Sequence, residues 1–367
     1  MKLNKIRLGD YIVRSTTNNK KLQYGTELIA GVNNQGIFTS PKGNTDGVDL
    51  QPYKIVQNGA FVYNPTRLDL GSIAYRTEGL CIVSHLYMIF YLTEEGKKII
   101  NPLWLFIYFR RKEFCREVTF RNFGSQRPEF NFSDISDIII PLPDIKVQQK
   151  YVDIYEAMVA NQKSYEKDLD DLKLTCDAYI EELRRKMPCE KLGPYIQPID
   201  ERNSNLAVKL AQGITNEKEF ATPKQVAKEK RNAKIVRKGM FAYNRATTRN
   251  GEKISIAYRT AEDCVVSSAY QVFEITEKNQ LYPEYLMMWF KRSEFDRYAR
   301  YMSKGSAHEF FEFDDMCDVR IPIPDIKIQK SIANIYNVYA QRKAINEKLK
   351  AQIRDICTIL IKGSLEA

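Results

Sequence analysis

The chain has 367 residues, roughly two to three times the size of a typical domain, which predicts two domains with connecting segments. Its 56 Lys and Arg outnumber its 46 Asp and Glu, so the net charge is +10, and a hydrophobic fraction of 44% excludes a disordered chain. The N-terminus has no apolar signal segment and the apolar run at 80–92 is too short for a membrane span, so we expect a soluble, cytoplasmic protein.

Cysteine and histidine usage argues against several kinds of site. The seven cysteines are odd in number and contain no C-x-x-C pair, which argues against a disulfide framework and a zinc ribbon. The two histidines, His85 and His308, leave almost no raw material for Ser-His or Cys-His dyads or for His-rich metal sites. The composition therefore points away from an enzyme.

An internal duplication organises the chain. Five segments of the first half recur in the same order in the second half, displaced by 180–184 residues: 8–12 at 192–196, 31–42 at 213–224, 53–64 at 233–244, 73–77 at 256–260 and 138–148 at 319–329. One repeat of about 180 residues therefore occurs twice in tandem.

In chain order, each repeat begins with a β-rich part. The segment 53–64 contains two β-prone runs separated by Asn-Gly, a hairpin signal, and the apolar run that follows places His85 as a core residue. Asn-Pro then opens a predicted helix over 101–118, whose counterpart is 282–299. We interpret Trp104 and Trp289 in these helices as core residues.

The last third of each repeat predicts a long helix. Gaps of three or four separate Val147, Tyr151, Ile154, Met158, Tyr165, Leu169, Leu172, Cys176, Tyr179 and Leu183, with Asn161 as the one polar member. A heptad pattern runs through Ile328, Ile332, Ile335, Tyr339, Arg342, Asn346, Leu349, Ile353, Ile356 and Leu360. The polar members lie near the middle of each helix, so antiparallel pairing would bring them roughly opposite one another.

The predicted fold class is α+β, with two tandem mixed α/β globular domains, each followed by a long helix, the two helices pairing as an antiparallel coiled coil. The predicted boundaries are 1–143 for the first globular domain, 144–187 for the first helix, 188–324 for the second domain and 325–367 for the second helix. At 1.5 Å per residue, each helix is roughly 55–60 Å long. Two globules held at opposite ends of a rod would suit two separated sites on one linear partner.

Basic clusters indicate that this partner is nucleic acid. They lie at 110–128, 228–239, 243–253 and 291–305, although a helix there could simply present a solvated basic face. Turns rich in Arg, Asn, Gln and Gly suit contacts with base edges and phosphates better than core packing. The candidate DNA-contacting residues are Arg67, Arg121, Gln126 and Arg127 in the first repeat and Arg245, Arg249, Lys253 and Lys304 in the second.

The two repeats differ most in these turns. Residues 67–72 correspond to the longer and more basic 247–255, and residues 121–128 correspond to 302–309. The same scaffold with different loops predicts two different half-sites, and hence an asymmetric, divided target.

The segments PLPDIKVQ at 141–148 and PIPDIKIQ at 322–329 resemble the junctions in the specificity subunit of type I restriction-modification systems. The resemblance covers essentially the whole chain, and its double occurrence makes it specific. In that family the residue after the second Pro is often another Pro. Here it is Asp144 or Asp325, which leaves the helix start intact as a capping position.

This resemblance implies a non-catalytic subunit whose two domains each read half of a bipartite asymmetric site in double-stranded DNA. The helices would set the spacer and dock two methyltransferase subunits, which the restriction (motor-nuclease) subunits join. No cofactor is expected on this chain, whereas S-adenosylmethionine, ATP and Mg would be bound by those partners. The candidates for helix pairing and partner docking are Tyr151, Ile154, Met158, Leu172, Ile332, Ile335, Tyr339 and Ile353.

The sequence agrees that the chemistry lies elsewhere. It contains no G-x-x-x-x-G-K-[ST] phosphate loop. The segment 63–66 lacks the second Pro and the aromatic residue of an Asn-Pro-Pro-Tyr motif, and the D-x-K triplets at 144–146 and 325–327 are explained by helix capping.

Three other functions stay open at this point. The chain could be the specificity subunit of a type IIB-like system, a coiled-coil scaffold with basic protein- or RNA-binding globules, or a nuclease with a hidden carboxylate site. Binding dominated by phosphates would fall steeply with ionic strength, unlike an apolar protein interface. Metal-dependent cleavage by the isolated chain would indicate the nuclease.

Overall fold

The computed structural model describes residues 4–41, 43–122, 129–223, 231–247, 253–305 and 309–367. Its contacts divide the chain into a first unit, residues 1–166 with 344–367, and a second unit, residues 167–343. Each unit therefore combines one globular part with segments of long helix, whereas the sequence-based boundaries separate globules from helices.

The first unit contains ten strands and five helices among its described residues, followed by the end of α10. The strands are β1 (Asn4–Arg7), β2 (Ile12–Ser15), β3 (Gly31–Val32), β4 (Phe38–Thr39), β5 (Lys54–Val56), β6 (Phe61–Tyr63), β7 (Ile73–Tyr75), β8 (Cys81–Val83), β9 (Met88–Leu92) and β10 (Ile139–Leu142). The helices are α1 (Glu94–Ile99), α2 (Pro102–Phe109), α3 (Lys112–Arg121), α4 (Phe132–Ser136) and α5 (Ile145–Glu166).

The second unit repeats this order, beginning with α6 (Leu169–Lys186). Its strands are β11 (Cys189–Lys191), β12 (Ile196–Ile199), β13 (Gly213–Ile214), β14 (Phe220–Ala221), β15 (Lys234–Val236), β16 (Phe241–Asn244), β17 (Ile256–Tyr258), β18 (Cys264–Val266), β19 (Tyr270–Ile275) and β20 (Arg320–Pro322). Its helices continue with α7 (Pro283–Phe290), α8 (Ser293–Met302) and α9 (Phe313–Cys317). Helix α10 (Ile326–Glu366) contributes residues 326–343 to the second unit and the remainder to the first.

Strand pairing is the same in the two units. A four-stranded antiparallel sheet has the order β2-β9-β6-β7 in the first unit and β12-β19-β16-β17 in the second. The additional pairs β1-β10, β3-β4 and β5-β8 correspond to β11-β20, β13-β14 and β15-β18. The duplication seen in the sequence is therefore a duplication of topology.

Both faces of the first four-stranded sheet are apolar. Phe61, Tyr63 and Phe90 pack in one cluster with residues of α2, whereas the intervening Val62 and the adjacent Ile89 pack in another with β5 and β8. Successive residues of a strand point to opposite faces, so burial on both sides requires uninterrupted apolar runs. This requirement explains the apolar sequence of these strands.

The second unit has the same arrangement. Phe241 and Phe273 lie on the side of α7, and Ala242 lies on the side of β15 and β18. The rings of Phe241 and Phe273 stack with centroids 5.0 Å apart, and those of Phe61 and Phe90 stack at 4.9 Å. Each core therefore contains an equivalent stacked aromatic pair at its centre.

The Asn-Gly signal marks a turn that does not close a hairpin. Gly59 has a φ of +86°, as a turn glycine can. The flanking strands β5 and β6 do not pair with one another, because β5 pairs with β8 while β6 pairs with β7 and β9. The turn connects two sheets.

The interpretation of His85 as a core residue is wrong. His85 is exposed in the turn between β8 and β9, where the Tyr87 N–H donates to the Ser84 carbonyl at 3.0 Å. The apolar run at 80–92 is therefore two strands and a turn. His308 lies outside the described residues.

The segment predicted as one helix over 101–118 forms two, α2 and α3. Asn101 caps α2, since its side-chain oxygen accepts hydrogen bonds from two N–H groups of the first turn. Trp104 is fully buried and donates from Nε1 to Ser364 Oγ at 3.0 Å. Trp289 is also buried, so both tryptophans are confirmed as core residues.

The first long helix is interrupted between α5 and α6, where the sequence predicts continuity. Asp168 has a left-handed φ of +66°, which Asp tolerates better than most residues. Within the second unit, the Lys167 carbonyl accepts a hydrogen bond from Arg342 Nη2 at 3.3 Å. Arg342, a polar member of the predicted heptad pattern, thus lies beside the interruption between α5 and α6.

The predicted helix caps are confirmed. Asp144 accepts a hydrogen bond from the Lys146 N–H at 2.9 Å, and Asp325 accepts one from the Lys327 N–H at 2.8 Å. Capping accounts for both D-x-K triplets. Across the described ranges, no group of three or more His, Cys, Asp or Glu side chains is placed to hold a metal ion.

One buried glutamine joins each of the helices α5 and α10 to the globule that precedes it. Gln148 is fully buried; its Oε1 accepts from the Asn101 N–H and its Nε2 donates to the carbonyls of Ile99 and Pro143, all at 2.8 Å. Gln329 is also fully buried and makes the same three bonds to the equivalent backbone groups, at 2.6–2.9 Å. The glutamine of the repeated junction segment is therefore a structural residue.

In the first unit, α5 lies beside the end of α10 in antiparallel order. The Tyr151 ring covers Gly363, and eleven residues further along α5 the buried Gln162 donates from Nε2 to Asn346 Oδ1 at 2.8 Å. Asn161, the polar member of the predicted pattern, is exposed. Its neighbour Gln162 forms the polar contact instead.

In the second unit, α6 lies beside the start of α10. Ile180 and Ile332 belong to one buried cluster, and the Lys167–Arg342 bond lies toward the other end of both segments. The contacts within each unit thus have the antiparallel order that the sequence predicts, while packing as a coiled coil stays a prediction. No helix in the described residues is long and apolar enough to cross a membrane.

Candidate nucleic-acid interface

The predicted DNA-contacting residues lie in two segments of each unit, with Arg121 at the end of α3 beside one of them. We call the connections between the sheet strands, 64–72 and 245–255, the strand loops. We call the segments that follow α3 and α8, 122–131 and 303–312, the helix loops. Gln126, Arg127 and Arg249 lie outside the described residues.

In the first unit the strand loop and the helix loop meet. The N–H of Phe130 donates to the Pro65 carbonyl at 3.0 Å, and the Phe130 side chain is fully buried. The fold thereby brings together two segments that are more than 50 residues apart in the sequence. Their candidates can act on one ligand.

The two described candidates of the first unit differ in how free their side chains are. Arg67 is exposed and makes no ion pair with any residue that the structure describes. Arg121 donates from Nε and Nη2 to Glu117 Oε1, at 3.1 and 2.7 Å. Exposed pairs of this kind contribute little to stability, so exchanging Glu117 for a phosphate costs little.

The first strand loop is held at both ends. Asn64 Oδ1 accepts from the Thr66 N–H at 3.1 Å, and Ser72 Oγ donates to the Val32 carbonyl at 2.9 Å. A loop ordered in this way presents Arg67 with a smaller entropic cost on binding.

A half-buried arginine acts as a clamp on the same loop, because it donates hydrogen bonds to backbone carbonyls. Arg110, at the end of α2, donates from Nη1 to the carbonyls of Gly71 and, at 3.1 Å, Asn34. Burial lowers the pKa of Arg110 from its ordinary value. Arg110 therefore connects the strand loop to the β3–β4 turn, and sequence analysis did not identify it.

In the second unit the two loops are joined twice. The Phe311 N–H donates to the Arg245 carbonyl at 2.9 Å, and the Thr247 N–H donates to the Glu309 carbonyl at 3.0 Å. Lys304 and Phe310 also pair as an antiparallel bridge within the helix loop. The loop pairing of the first unit is thus repeated and extended.

The described candidates of the second unit remain accessible. Lys253 is exposed and has no ion-pair partner within the described ranges. Lys304 is exposed, with Nζ 3.9 Å from Asp315. Arg245 is half-buried and pairs with Glu312 at 3.1 Å.

A buried ion pair replaces the arginine clamp in the second unit. Lys218 Nζ lies 2.7 Å from Asp296 Oδ1, with side chains only 5% and 11% exposed, and also donates to the Phe290 carbonyl. Asp296 accepts from the Ile254 N–H at 3.1 Å, which holds the strand loop. Burial lowers the pKa of Lys218, whereas its contact with Asp296 acts to raise it.

The repeats contain a signal that would have identified this pair. Lys218 occupies the position of Gly36 in the first repeat, and Asp296 occupies the position of Cys115. Both Gly36 and Lys218 have left-handed φ values, +72° and +64°. A lysine at a turn position that favours glycine indicates a specific role for its side chain.

The candidates for helix pairing and docking are divided among three environments. Ile332 is buried in the core of the second unit, so it lacks a surface for a partner, whereas Ile154 is exposed. The half-buried candidates are Tyr151, Met158, Leu172, Ile335, Tyr339 and Ile353.

Taken together, the described parts of the loops present Arg and Lys side chains on a backbone that hydrogen bonds hold in place. Arg and Lys side chains on ordered loops can meet phosphates and base edges. The buried cations, Arg110 and Lys218, position these loops. Such an arrangement is suited to an anionic polymer.

Comparison by family agrees with this geometry. The family model described as the type I restriction modification DNA specificity domain matches residues 5–173 and 194–355, one stretch in each repeat. A search of curated proteins finds no match.

Three solved structures are similar to this chain along nearly all of its length. The S subunit of a type I restriction-modification system from M. genitalium has a TM-score of 0.65 at 12% identity, covering 99% of this chain and 96% of that one, which shows a common fold. The HsdS subunit from Thermoanaerobacter tengcongensis has a TM-score of 0.41 at 15% identity, with coverage of 99% and 96%. A chain from a type I R-M system solved for its assembly and conformational transition has a TM-score of 0.47 at 15% identity, with coverage of 100% and 99%.

Proposed function

Because the chain belongs to the type I restriction-modification DNA specificity family, we propose that each of its two units reads one half of a bipartite, asymmetric DNA site. A member of this family is the DNA-recognition component of its system and not the enzyme. The proposal therefore concerns which part of the chain reads which part of the target.

One observation carries the proposal: the same loop pair occurs twice with different residues. The strand order of the units is identical, and in each the strand loop touches the helix loop. The first unit presents Arg67 there, whereas the second presents Lys253 and Lys304. A common scaffold with different cations selects two different sequences.

The long helices would set the distance between half-sites and dock two methyltransferase subunits. Helix α10 is 41 residues long, which corresponds to roughly 60 Å. Large apolar side chains exposed on the long helices support docking, because soluble surfaces rarely present them without a partner. They include Ile154, Leu174, Tyr179, Ile328, Val338, Ile345 and Ile359.

Catalysis would reside in the partners. In this proposal the methyltransferase subunits use S-adenosylmethionine, and restriction subunits that join them use ATP and Mg. This chain contributes sequence selection and geometry without a cofactor of its own.

The experiment that tests the proposal is methylation mapping. The chain is expressed with its cognate methyltransferase in cells lacking other systems, and adenine methylation is mapped across the genome. We expect one asymmetric two-part motif with a fixed unspecified gap. A continuous motif, or none with a competent methyltransferase, contradicts the proposal.

Single-residue variants assign the half-sites. Arg67→Ala should relax or weaken one half of the motif, and Lys253→Ala the other, because the residues lie on separate units. Lys98→Ala, an exposed position on α1, is the control and should leave the motif unchanged. An identical effect of Arg67→Ala and Lys253→Ala on both halves would argue against separate readers.

A further inference from the structure

Each unit exposes one large aromatic side chain at the end of a helix. Phe120 on α3 is 82% exposed and Tyr301 on α8 is 86% exposed, more than any other large apolar side chain in the described residues. Neither appears among the residues that the sequence analysis selected. Their exposure is unusual enough to require a partner.

The two aromatics occupy equivalent positions. Helix α3 reads KEFCREVTFR and α8 reads SEFDRYARYM, so Phe120 aligns with Tyr301. Arginine precedes each aromatic by four residues, as Arg116 and Arg297, which places both on one face of the helix. An exposed arginine–aromatic pair has thus been retained in two repeats that differ in most neighbouring residues.

Folding does not explain these side chains. Phe114 and Val118 are buried on the core face of α3, and Phe120 lies about 200° around the helix from Val118. In α8, Phe295 and Ala299 are buried in the same way. A polar residue at the aromatic position would serve the core equally well.

The position of the aromatics indicates which partner they meet. The first turn of α3 contacts α10, since Thr358 donates to Glu113 at 2.8 Å and Lys112 pairs with Asp355 at 3.0 Å. Phe120 lies about 10–12 Å further along α3. It is therefore distant from the helix surface proposed to dock a methyltransferase, and it directly precedes the helix loop.

In the second unit, likewise, the start of α8 lies beside a long helix and its end lies beside the helix loop. Arg292, which precedes α8, pairs with Asp177 of α6 at 3.2 Å. At the other end of α8, Arg300 pairs with Glu309 of the helix loop. Tyr301 therefore lies beside the loop pair, and not beside the long helices.

The surrounding charge suits DNA. Arg116 and Arg121 flank Phe120, and Arg297 and Arg300 flank Tyr301. Arg116 is 75% exposed and, among the residues that the structure describes, pairs only with Glu113, at 3.3 Å, an exposed pair that is readily exchanged for a phosphate. Aromatic or aliphatic side chains flanked by cations insert between base pairs in several DNA-binding proteins.

We propose that Phe120 and Tyr301 each insert at a base step beside one half-site, while Arg116 and Arg297 contact the adjacent phosphates. This inference rests on the proposed function and names the residues with which each unit grips the duplex. Partial unstacking at two steps would also make recognition sensitive to the deformability of bases that no side chain reads.

The test uses the complex of the chain with its methyltransferase and duplexes carrying the mapped motif. The probe is 2-aminopurine, placed in turn at each step in and beside one half-site, whose fluorescence rises when it is unstacked. Apart from the target adenine, which the methyltransferase itself flips out of the stack, we expect enhancement at one step for each half-site. Phe120→Ala should abolish it at one half-site only, Tyr301→Ala at the other, and each should weaken DNA binding by about tenfold or more.

Matched variants separate insertion from folding. Phe120→Tyr and Tyr301→Phe keep a ring and should retain the signal. Val13→Ala removes an exposed apolar side chain from β2 and should change neither fluorescence nor affinity.

Two results would overturn the inference. If the wild-type complex recognises a two-part motif but Phe120→Ala and Tyr301→Ala leave fluorescence and affinity unchanged, the aromatics do not contact DNA. If these variants instead lose the methyltransferase while DNA binding persists, the aromatics form a protein interface. Failure of the wild-type complex to recognise any motif would overturn the proposed function itself.

Discussion

Gln148 and Gln329 explain why the junction segment of each repeat contains a glutamine. Each amide provides an acceptor to an N–H and two donors to carbonyls, all three at positions where the ends of helices and strands leave backbone groups unpaired. Leucine has a similar volume but can neither donate nor accept these hydrogen bonds. The glutamine is thus required for joining a helix to a globule.

Replacing this amide should be costly. Gln148→Leu is expected to lower the free energy of unfolding by about 2–4 kcal/mol, because three backbone groups lose their partners. Chemical denaturation of the purified chain measures the change. Gln149→Ala alters the exposed neighbouring side chain and should cost less than about 1 kcal/mol; equal effects would refute the argument.

The buried pair Lys218–Asp296 supports a second prediction. Asp296→Asn leaves the lysine without its counter-charge and should destabilise the second unit by about 3–5 kcal/mol at pH 7. Burial lowers the pKa of Lys218 in the folded state, and removing the carboxylate lowers it further. Since the unfolded chain then binds more protons than the folded one, the variant should recover stability as the pH rises toward 10.

Thermal unfolding of wild type and Asp296→Asn between pH 7 and 10 measures this convergence. Asp314→Asn, an exposed carboxylate in the same unit, is the control and should stay close to wild type throughout. A gap that is constant with pH would mean that Lys218 is not the group responsible.

At the level of structural elements, the strand loops of the two units are held in place by different kinds of interaction. In the first unit Arg110 donates to the Gly71 carbonyl of the loop. In the second unit Asp296 of α8, paired with a lysine from the β13–β14 turn, accepts a hydrogen bond from the Ile254 N–H of the loop. The loops keep their place while their exposed residues differ. Diversified recognition on a constant scaffold requires such separation of holding residues from reading residues.

An ion pair in the helix contact of the first unit predicts a dependence of stability on pH. Glu166 pairs with Lys350 at 2.7 Å, and hydrogen bonds from Lys350 and Gln162 lower the pKa of Glu166 below its ordinary value. The stabilisation is present above the unfolded pKa, about 4.3, and is lost as the pH falls through the folded pKa.

Glu166→Gln should therefore be less stable than wild type at pH 7, by less than about 1 kcal/mol since the pair is half-exposed, and the difference should vanish near pH 3. Denaturant titrations at the two pH values provide the measurement. Glu156→Gln on the same helix should show no such convergence, and a difference that grows in acid would contradict the assignment.

For the whole molecule, the proposed function links the length of the long helices to the spacing of the DNA target. If the helices set the gap between half-sites, removing two helical turns shortens one of them by about 10 Å, or roughly three base pairs at 3.4 Å per pair. The half-sites themselves should be unaffected, because the reading loops belong to the globular parts.

Deleting seven residues within 160–175 should therefore shift or abolish the recognised spacing while each half-site preference persists. Methylation mapping of the variant with its methyltransferase reports both properties at once. Replacing exposed residues of the same stretch by alanine keeps the length and should keep the spacing. An unchanged gap after the deletion would exclude the helices as the ruler.

Some of the errors at the sequence level have a common cause. An apolar run does not reveal where the chain turns, so the sequence predicts a core position for His85 and a single helix over 101–118. The break at Asp168 is likewise invisible to a heptad pattern, since its cause is the φ of a single residue. Loop pairing across 65 and 130 depends on contacts that no local pattern contains.

The duplication, the α+β class, the caps at Asp144 and Asp325, the long helix α10 and the family can be read from the sequence alone, because these are written as repeats, periodicities and adjacent residues. Which loops meet, which cations hold them in place and which aromatics remain exposed depends on the folded chain, since burial and pairing are set by residues distant in the sequence. Phe120 and Val118 are equally apolar in the sequence, and only the packed core distinguishes them.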